Sequence, residues 1–383
     1  MAQKKIAKEL AAFSAFYSDS LNRLTKKTNA YNKVMRKEPN PIIRPFREDL
    51  ADLNTGGKML RGMLVNLGYQ IAVHMSGEVA CNAAESDMLA LAFEIFQTGV
   101  LVHDDIIDNA GTRRGKITVH RRYEHRLNVR ETKMVAAGEK PGNLAKSAAI
   151  CVGDLGIYYA NKQIVDYYAQ NEHLAALIGY FDDIVVRTIR GELLDVVLPY
   201  EIQDDKYSPE EKKKLLEKSI WDIYYLKTAG YSVIGPLHLG MILGGADEKQ
   251  MKALDRVAED IGIAYQIMDD ILGVFADPEK LGKDVGSDIT EFKQTILYMY
   301  VCTMKPEYEE ELLQIYGKKR ISDAELDGVQ RIFRESGALA YAQEMLGDCF
   351  ERAEKRLARI KGMSKEDKAI LRGFITYCKG RRK

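Results

Sequence analysis

Residues that interrupt regular secondary structure are few in this 383-residue sequence, which has 9 prolines and 30 glycines. Together they make up about 10% of the chain, slightly below ordinary usage. Because 46% of the residues are hydrophobic, the chain can bury a sizeable core. These numbers exclude a collagen-like, low-complexity or largely disordered protein.

An excess of charge of either sign is also absent, since 56 Lys and Arg residues balance 56 Asp and Glu residues. A neutral chain has no overall attraction to nucleic acid or to anionic lipid. We therefore expect no nucleic-acid partner, and any recognition of phosphate has to come from local clusters of basic residues.

The five cysteines include no Cys-x-x-Cys pair and are odd in number. Both features argue against a disulfide framework and against a zinc site. Residues 1–16 mix charges into a helical pattern and lack the long apolar run of a secretory signal. We therefore expect no export and a reducing compartment, the cytoplasm.

One long stretch without formal charge does occur, at Thr228–Ala246, and its length approaches that of a membrane span. The stretch contains Pro236, His238 and five glycines, which suit a packed protein interior better than lipid. It therefore predicts a buried core helix and no integral membrane segment.

Apolar residues recur at helical spacing along most of the chain, whereas alternating strand patterns are hard to find. Capping boxes at Ser208–Glu211 and at Ser322–Glu325 mark two helix starts. The pattern predicts an all-α fold, a single large helical bundle over residues 1–383. Residues 124–143 are polar and contain Gly and Pro, which predicts an inserted surface loop.

A first acidic motif follows a strongly apolar helical stretch and consists of Asp104, Asp105 and Asp108. Helical geometry places Asp104 and Asp108 one turn apart on the same face, with no basic residue at helical spacing. Burying like charges together is unfavourable unless a cation intervenes, and carboxylate oxygens suit Mg²⁺. The motif predicts a magnesium site, and the alternative is an acidic helix end at the surface.

A second acidic motif, Asp269 and Asp270, lies far along the chain in an equally apolar context. Two such groups could face each other across a helical bundle and hold a polyphosphate through cations. Arginine matches phosphate oxygens and lysine adds a point charge. The basic residues available for this purpose are Lys58, Arg61, Arg113, Arg114, Lys227 and Lys283.

In this order the motifs resemble those of a trans-isoprenyl diphosphate synthase of the polyprenyl synthetase family, closest in pattern to bacterial geranylgeranyl-type synthases. The similarity runs from about residue 50 to residue 345. The short sequence motifs that carry the resemblance are Gly57-Lys58 with Arg61, the first acidic motif with Arg113-Arg114, Gly153-Asp154, Lys227-Thr228, and the second acidic motif.

The resemblance implies roles for individual residues. The ligands of two or three Mg²⁺ ions would be Asp104, Asp105, Asp108, Asp269 and, less directly, Asp270. The diphosphate of the allylic substrate would be bound by Arg113, Lys227 and Lys283. The diphosphate of isopentenyl diphosphate would be bound by Lys58, Arg61, Gln97 and Arg114, while Thr228 and Gln266 would line the reacting end. The residues expected to act in catalysis are Asp104, Asp105, Asp108, Arg113, Lys227 and Asp269.

The resemblance also implies an isoprenoid synthase fold with a central cavity, a homodimer formed near the first motif, and a metal-assisted condensation. Pyrophosphate leaves the allylic substrate, and isopentenyl diphosphate attacks the resulting cation. Gly99 and Val100 precede the first motif, where aromatic residues stop family members at the farnesyl stage. Their small size predicts geranylgeranyl diphosphate (C20) or a longer product. Phe96 is either the floor of the product tunnel or an ordinary core aromatic residue.

Three alternatives stay open. A farnesyl diphosphate synthase would differ in product length. A class I terpene cyclase would have an Asn/Ser/Glu triad in place of the second Asp-Asp and little need for Lys58 and Arg61. A non-catalytic subunit of a heteromeric synthase usually loses the aspartates, whereas the first motif is intact here.

Two features depart from the family pattern or extend it. Gly273 stands at the third acidic position of the second motif, and Asp277, one turn further on, is a partial substitute only if the helix continues to Pro278. The terminal basic run, residues 379–383, is either a solvated tail or a segment that folds over the isopentenyl site.

Overall fold

The computed structural model describes residues 2–77, 82–128, 141–276 and 285–380. Within these ranges the regular structure is helical except for one short hairpin. The predicted all-α fold class is confirmed.

The elements follow one another along the chain as a series of helices. The first part contains α1 (Ala2–Met35), α2 (Arg44–Leu53), α3 (Leu60–Met75), α4 (Ala83–Ile107), β1 (Thr112–Arg113), β2 (Lys116–Ile117), α5 (Val119–Asn128), α6 (Pro141–Tyr167) and α7 (Leu174–Glu201). The second part contains α8 (Pro209–Ile223), a π-helix (Tyr224–Ile234), α9 (Gly235–Leu243), α10 (Glu248–Phe275), α11 (Ser287–Thr290), α12 (Ile296–Met304), a 3₁₀ turn (Pro306–Tyr308), α13 (Glu309–Leu313), α14 (Asp323–Glu335), α15 (Ala338–Arg359) and α16 (Lys365–Lys379).

The chain separates into two compact units, each assembled from discontinuous segments. The unit that carries the first acidic motif, here called the first-motif unit, consists of Ala15–Gly179 and Leu239–Gly245. The second-motif unit consists of Met1–Ser14, Tyr180–His238 and Ala246–Lys383. The single domain over residues 1–383 stays a prediction.

The core of the first-motif unit is built around α4, which packs against α3 and α6, while α5 packs on α6. Residues 89–99 of α4 are all buried. A helix whose side chains are buried on all sides has to be surrounded by other elements. The packing fixes the orientation of α4 and therefore the position of Asp104, Asp105 and Asp108 at its C-terminal end.

The core of the second-motif unit is built around α10, which packs against the π-helix and α15. Asp247 and Gln250 form a capping box at the start of α10. The helix then runs 28 residues to Phe275 and carries Asp269 and Asp270 near its end.

The uncharged stretch Thr228–Ala246 lies in the π-helix and α9, and its residues from Thr228 to Leu243 are buried. The predicted core location is confirmed. Among the described residues, no helix combines the length and the apolar character that crossing a membrane requires.

Both predicted capping boxes are present. Ser208 caps α8 and Ser322 caps α14, each with a glutamate at the third helical position that accepts a hydrogen bond from the backbone of the capping residue. These local signals locate helix starts because each satisfies backbone N–H groups that the helix itself leaves unpaired.

Both ends of the segment predicted as a surface loop, residues 124–143, are helical. Residues up to Asn128 belong to α5, and α6 begins at Pro141. Arg126 of α5 forms a salt bridge with buried Asp49, which ties this polar segment to the unit. Proline suits the first position of a helix, where no N–H donor is needed.

Some predictions fall outside the described residues. These positions are residues 129–140 of the predicted loop, Lys283, the possible substitute Asp277 with Pro278, the last three residues of the basic tail, and Cys81. Within the described ranges, the other four cysteines form no disulfide bond with one another.

Candidate active site

The first acidic motif occupies the last turn of α4. The N–H of Asp108 donates to the carbonyl oxygen of Asp104 at 2.8 Å, so the two residues are one helical turn apart. Asp105 is buried, whereas Asp104 and Asp108 are partly exposed. The helix end therefore presents the shared acidic face that the spacing predicted.

A basic partner for this acidic face comes from the β1–β2 hairpin. It lies outside α4, so helical spacing could not predict it. Arg113 donates through Nη2 to Asp104 Oδ2 at 2.7 Å and through Nε to Asp105 Oδ1 at 2.6 Å. The two turn residues, Arg114 and Gly115, both have positive φ, as a two-residue hairpin turn matched to strand twist requires. The hairpin thus holds Arg113 against the aspartates.

Burial makes Asp105 an unusual carboxyl group. Desolvation raises its pKa to about 6, although the nearby Arg113 guanidinium favours the charged form. Its Oδ2 atom is buried and has no hydrogen-bond partner among the described residues. Such an atom is costly unless another group pairs with it.

Three of the predicted isopentenyl residues, Lys58, Arg61 and Arg114, lie near the start of α3, and Gln97 is buried in α4. Lys58 is exposed just before the helix, and Arg61 lies in its first turn. Arg114 donates to the carbonyl oxygen of Leu53 at 2.7 Å. A Cβ atom on Gly57 would lie 2.8 Å from Cζ of Arg114, so glycine at this position makes room for the guanidinium.

A buried carboxylate that sequence reasoning missed supports this basic cluster. Glu94 of α4 accepts a hydrogen bond at 2.7 Å from the N–H of Gly62, in the first turn of α3. Burial raises the pKa of Glu94, while the charges of Arg61 and Arg114 oppose that shift. The signal was available in part, because Glu94 lies three residues before Gln97 on the same helical face.

We expect Glu94→Gln to flatten the dependence of stability on pH. A raised folded-state pKa means that the folded protein binds more protons than the unfolded one, so the free energy of unfolding falls as pH rises above 4.5. Gln keeps the acceptor for Gly62 and removes that penalty. In urea unfolding, the variant should gain stability relative to wild type at pH 8 and gain less at pH 5.

Glu344→Gln, at an exposed position of α15, is the matched control. It should shift neither curve. An equal loss of stability in Glu94→Gln at both pH values would contradict the prediction, since it would mean that Arg61 and Arg114 need the charge.

In the second-motif unit, three predicted site residues form one hydrogen-bonded chain. Thr228 of the π-helix donates to Gln266 Oε1 at 2.5 Å, and Gln266 donates to Asp270 Oδ1 at 2.8 Å. The other carboxylate oxygen of Asp270 accepts from the hydroxyl of Tyr224 and from the N–H of Ile296. Asp270 is therefore engaged inside the protein, and burial raises its pKa to about 7.

Lys227 lies between two acidic residues that the sequence did not single out. Its Nζ atom is 2.6 Å from Asp195 Oδ2 and 2.8 Å from Glu192 Oε2. A Cβ on Gly191 would lie 2.6 Å from the backbone nitrogen of Lys227, so this glycine allows α7 to approach the π-helix. The close approach brings the two acids of α7 to the lysine.

The sequence signal for Glu192 and Asp195 was weak but present. They are three residues apart within an apolar helical stretch, so they share a face. Lys293 also lies near Asp195, with Nζ 3.7 Å from Oδ2. Lys227 and Lys293 thus both lie beside the acidic residue Asp195 of α7. Asp269, on α10, is partly exposed.

The chain matches the family model described as Polyprenyl synthetase over residues 46–333, more than half of its length. The chain belongs to the polyprenyl synthetase family. The resemblance stated from the motifs is confirmed, and so is the prediction that the chain is an enzyme, a prenyltransferase.

Individual members of the family are similar over most of the chain. A short chain isoprenyl diphosphate synthase of Methanocaldococcus jannaschii is 30% identical over 74% of this chain and 74% of its own length. A geranylgeranyl diphosphate synthase of Sulfolobus acidocaldarius is 28% identical over 94% of this chain and 98% of its own length. These similarities confirm the predicted reaction class, chain elongation by prenyl transfer.

A solved structure extends the similarity to the fold. Geranylgeranyl pyrophosphate synthase from Corynebacterium glutamicum, complexed with isoprenyl diphosphate and magnesium, is 28% identical with a TM-score of 0.80. It covers 97% of this chain and 99% of its own. Magnesium and isoprenyl diphosphate are thus bound by a protein that shares the fold of this chain.

The donor set of the first motif fits Mg²⁺ in the manner typical of phosphate-processing enzymes. Within the described ranges, no group of three or more His, Cys, Asp or Glu side chains is arranged to hold a metal ion. Mg²⁺ usually needs no such cage, because it binds through one or two carboxylates together with substrate phosphates and water. The partly exposed Asp104 and Asp108 and the unpartnered oxygen of Asp105 provide suitable donors.

The small size of Gly99, which the sequence linked to product length, has a packing explanation. A Cβ on Gly99 would lie 2.7 Å from the carbonyl oxygen of Gly153 and 2.9 Å from the nitrogen of Ile157. Gly99 therefore contacts the backbone of α6. Phe96 is fully buried and packs edge to face on Phe93, with ring centroids 5.6 Å apart, as a core aromatic residue does.

Proposed function

We propose that this prenyltransferase condenses isopentenyl diphosphate with an allylic diphosphate and makes a product of 20 carbons or more. The observation that carries the proposal is the acidic end of α4 with Arg113 against it, in the same unit as the basic residues around the start of α3. A carboxylate face for cations and a separate cationic cluster suit two diphosphate substrates with different tasks.

The proposed roles follow from position and charge. Asp104, Asp105 and Asp108 would hold Mg²⁺ for the allylic diphosphate, and Asp269 would hold a further ion, giving two or three in all. Bound Mg²⁺ neutralises the charge that develops on the leaving pyrophosphate. Asp270 positions the second motif through its contacts with Gln266 and Tyr224.

The basic residues bind the phosphates. Those assigned to the allylic diphosphate are Arg113, Lys227 and Lys283, and those assigned to isopentenyl diphosphate are Lys58, Arg61 and Arg114, together with the neutral Gln97. Glu192 and Asp195 hold the Lys227 ammonium group in place.

Thr228 and Gln266, which hydrogen-bond to each other, line the reacting end of the substrates. Apolar residues around the reacting atoms would exclude water, which protects a reactive allylic cation from hydrolysis.

The test is an incubation of purified protein with MgCl₂, isopentenyl diphosphate and a dimethylallyl, geranyl or farnesyl diphosphate primer. Chromatographic sizing of the products is expected to show chains of 20 carbons or longer. Products that stop at 15 carbons would identify the alternative, a farnesyl diphosphate synthase. Absence of elongation with every primer would overturn the proposal.

We further propose a homodimer formed through α6. Leu144, Cys151, Tyr158 and Val165 are exposed and follow one another at seven-residue spacing, so they form one stripe along this helix. Exposed apolar stripes of this kind mark interaction surfaces. We also place the enzyme in the cytoplasm, which the odd number of cysteines and the lack of a Cys-x-x-Cys pair support.

Light scattering tests the dimer. Wild type should have the mass of two chains, and Tyr158→Glu should shift it toward one chain. Tyr200→Glu is the matched control, because Tyr200 is equally exposed, at 76% against 75% for Tyr158, and lies on α7. Dissociation caused by Tyr200→Glu alone would contradict the assignment of the interface to α6.

A further inference from the structure

The second acidic motif has a glycine, Gly273, where the family pattern has its third aspartate. Gly273 lies one helical turn after Asp269 in α10. A side chain at position 273 would therefore point to the same side of the helix as the side chain of Asp269. The carboxylate that the pattern expects at this point is missing from α10.

The carboxylate of Asp288, from α11, occupies the space of the missing side chain. A Cβ atom built on Gly273 would lie less than 3.0 Å from Oδ2 of Asp288, closer than real Cβ atoms come to their neighbours. The three heavy atoms nearest to that Cβ all belong to the Asp288 carboxylate. A side chain at position 273 and Asp288 in its observed position therefore exclude each other.

Backbone hydrogen bonds hold Asp288 in this place. The N–H of Gly286 donates to the carbonyl oxygen of Gly273 at 2.8 Å, and Gly286 has a positive φ of 87° that turns the chain into α11. The N–H of Lys293 donates to the carbonyl oxygen of Asp288 at 2.9 Å. Asp288 itself is 9% exposed. The Asp288 carboxylate is thus buried beside α10.

We propose that Asp288 supplies, from α11, the third carboxylate of the second acidic motif, and that position 273 is glycine because Asp288 fills its side-chain space. The proposal rests on the proposed function, in which this motif retains a diphosphate together with Mg²⁺.

A reciprocal exchange tests the proposal. The variants are Asp288→Ala, Asp288→Asn, Gly273→Asp and the double variant Gly273→Asp/Asp288→Ala, which moves the carboxylate from α11 to α10. The matched controls are Asp348→Ala and Gly347→Asp, neighbouring positions of α15 where Asp348 is exposed and a Cβ on Gly347 would meet nothing within 4 Å.

Two melting temperatures are measured for each variant, one in EDTA and one with MgCl₂ and inorganic pyrophosphate. In EDTA, Gly273→Asp should melt about 3 to 10 °C below wild type, because two carboxylates then compete for one space. The double variant should melt close to Asp288→Ala. The temperature rise caused by MgCl₂ with pyrophosphate should be smaller in Asp288→Ala and in Asp288→Asn than in wild type, and it should return to the wild-type value in the double variant. It should not vanish, because the first acidic motif is intact in all of these variants.

Two results would overturn the proposal. One is a wild-type response to MgCl₂ with pyrophosphate in Asp288→Asn, which keeps the shape of the side chain and lacks its charge. The other is a double variant that folds but does not regain the response. Failure of the proposed function is distinguishable, because it would appear as a wild-type protein that elongates no primer, whatever the melting temperatures show.

Discussion

Replacing Asp104 with asparagine is expected to reduce turnover about 1,000-fold, whereas the protein remains folded. The proposed role of Asp104 is to hold Mg²⁺ on the leaving diphosphate, and such charge stabilisation contributes several kcal/mol to the transition state. A loss of about 4 kcal/mol corresponds to about 1,000-fold in rate. Asparagine preserves the volume of the side chain, and the Asp104 side chain is 20% exposed, so the fold should tolerate the change.

The measurement is steady-state turnover with isopentenyl diphosphate and an allylic primer over a range of MgCl₂ concentrations. Asp348→Asn on α15 provides a surface control and should retain wild-type turnover. Circular dichroism melting checks that Asp104→Asn is folded. Turnover within tenfold of wild type at saturating MgCl₂ would show that Asp104 is not a metal ligand in the reaction.

The parts of this site that sequence could predict are those set by local geometry. The shared face of Asp104 and Asp108 follows from the period of the helix alone. The capping boxes at Ser208 and Ser322 also depend on residues within one turn, and both are present. The ordered motifs identified the family, because each supplies a charged group that diphosphate chemistry needs.

The parts that sequence could not predict depend on contacts between separate elements. Arg113 reaches Asp104 because of the shape of a hairpin turn, and Asp195 reaches Lys227 across 32 residues because Gly191 lets two helices approach. No periodic pattern contains either contact. The same holds for Asp288. A backbone hydrogen bond from Gly286 to Gly273 fixes its place beside α10, and Gly286 lies outside that helix.

Gly99 illustrates why residue size alone is a poor guide to function. Sequence comparison within a family suggests that a small residue before the first motif leaves room for product. In the structure, Gly99 of α4 and Gly156 of α6 meet where the two helices cross, and a Cβ on Gly99 would lie 3.1 Å from the carbonyl carbon of Gly156. Val100, which is partly exposed, stays a candidate for a role in product length.

We therefore expect Gly99→Ala to lower the free energy of unfolding by about 2 to 3 kcal/mol, the upper part of the range for overpacked cores. The atoms that the added Cβ would meet at 2.7 and 2.9 Å are backbone atoms of Gly153 and Ile157, which cannot move without shifting α6. Gly99→Phe should prevent the first-motif unit from folding. It should not yield an active enzyme with a shorter product.

Gly179→Ala is the matched control, because Gly179 lies inside α7 and a Cβ there would meet nothing within 4 Å. Exchange of glycine for alanine within a helix usually stabilises it by up to about 1 kcal/mol. Urea unfolding should therefore move the two variants in opposite directions. If Gly99→Phe gave folded protein that released shorter chains, position 99 would line the product space, and the packing explanation for its glycine would be wrong.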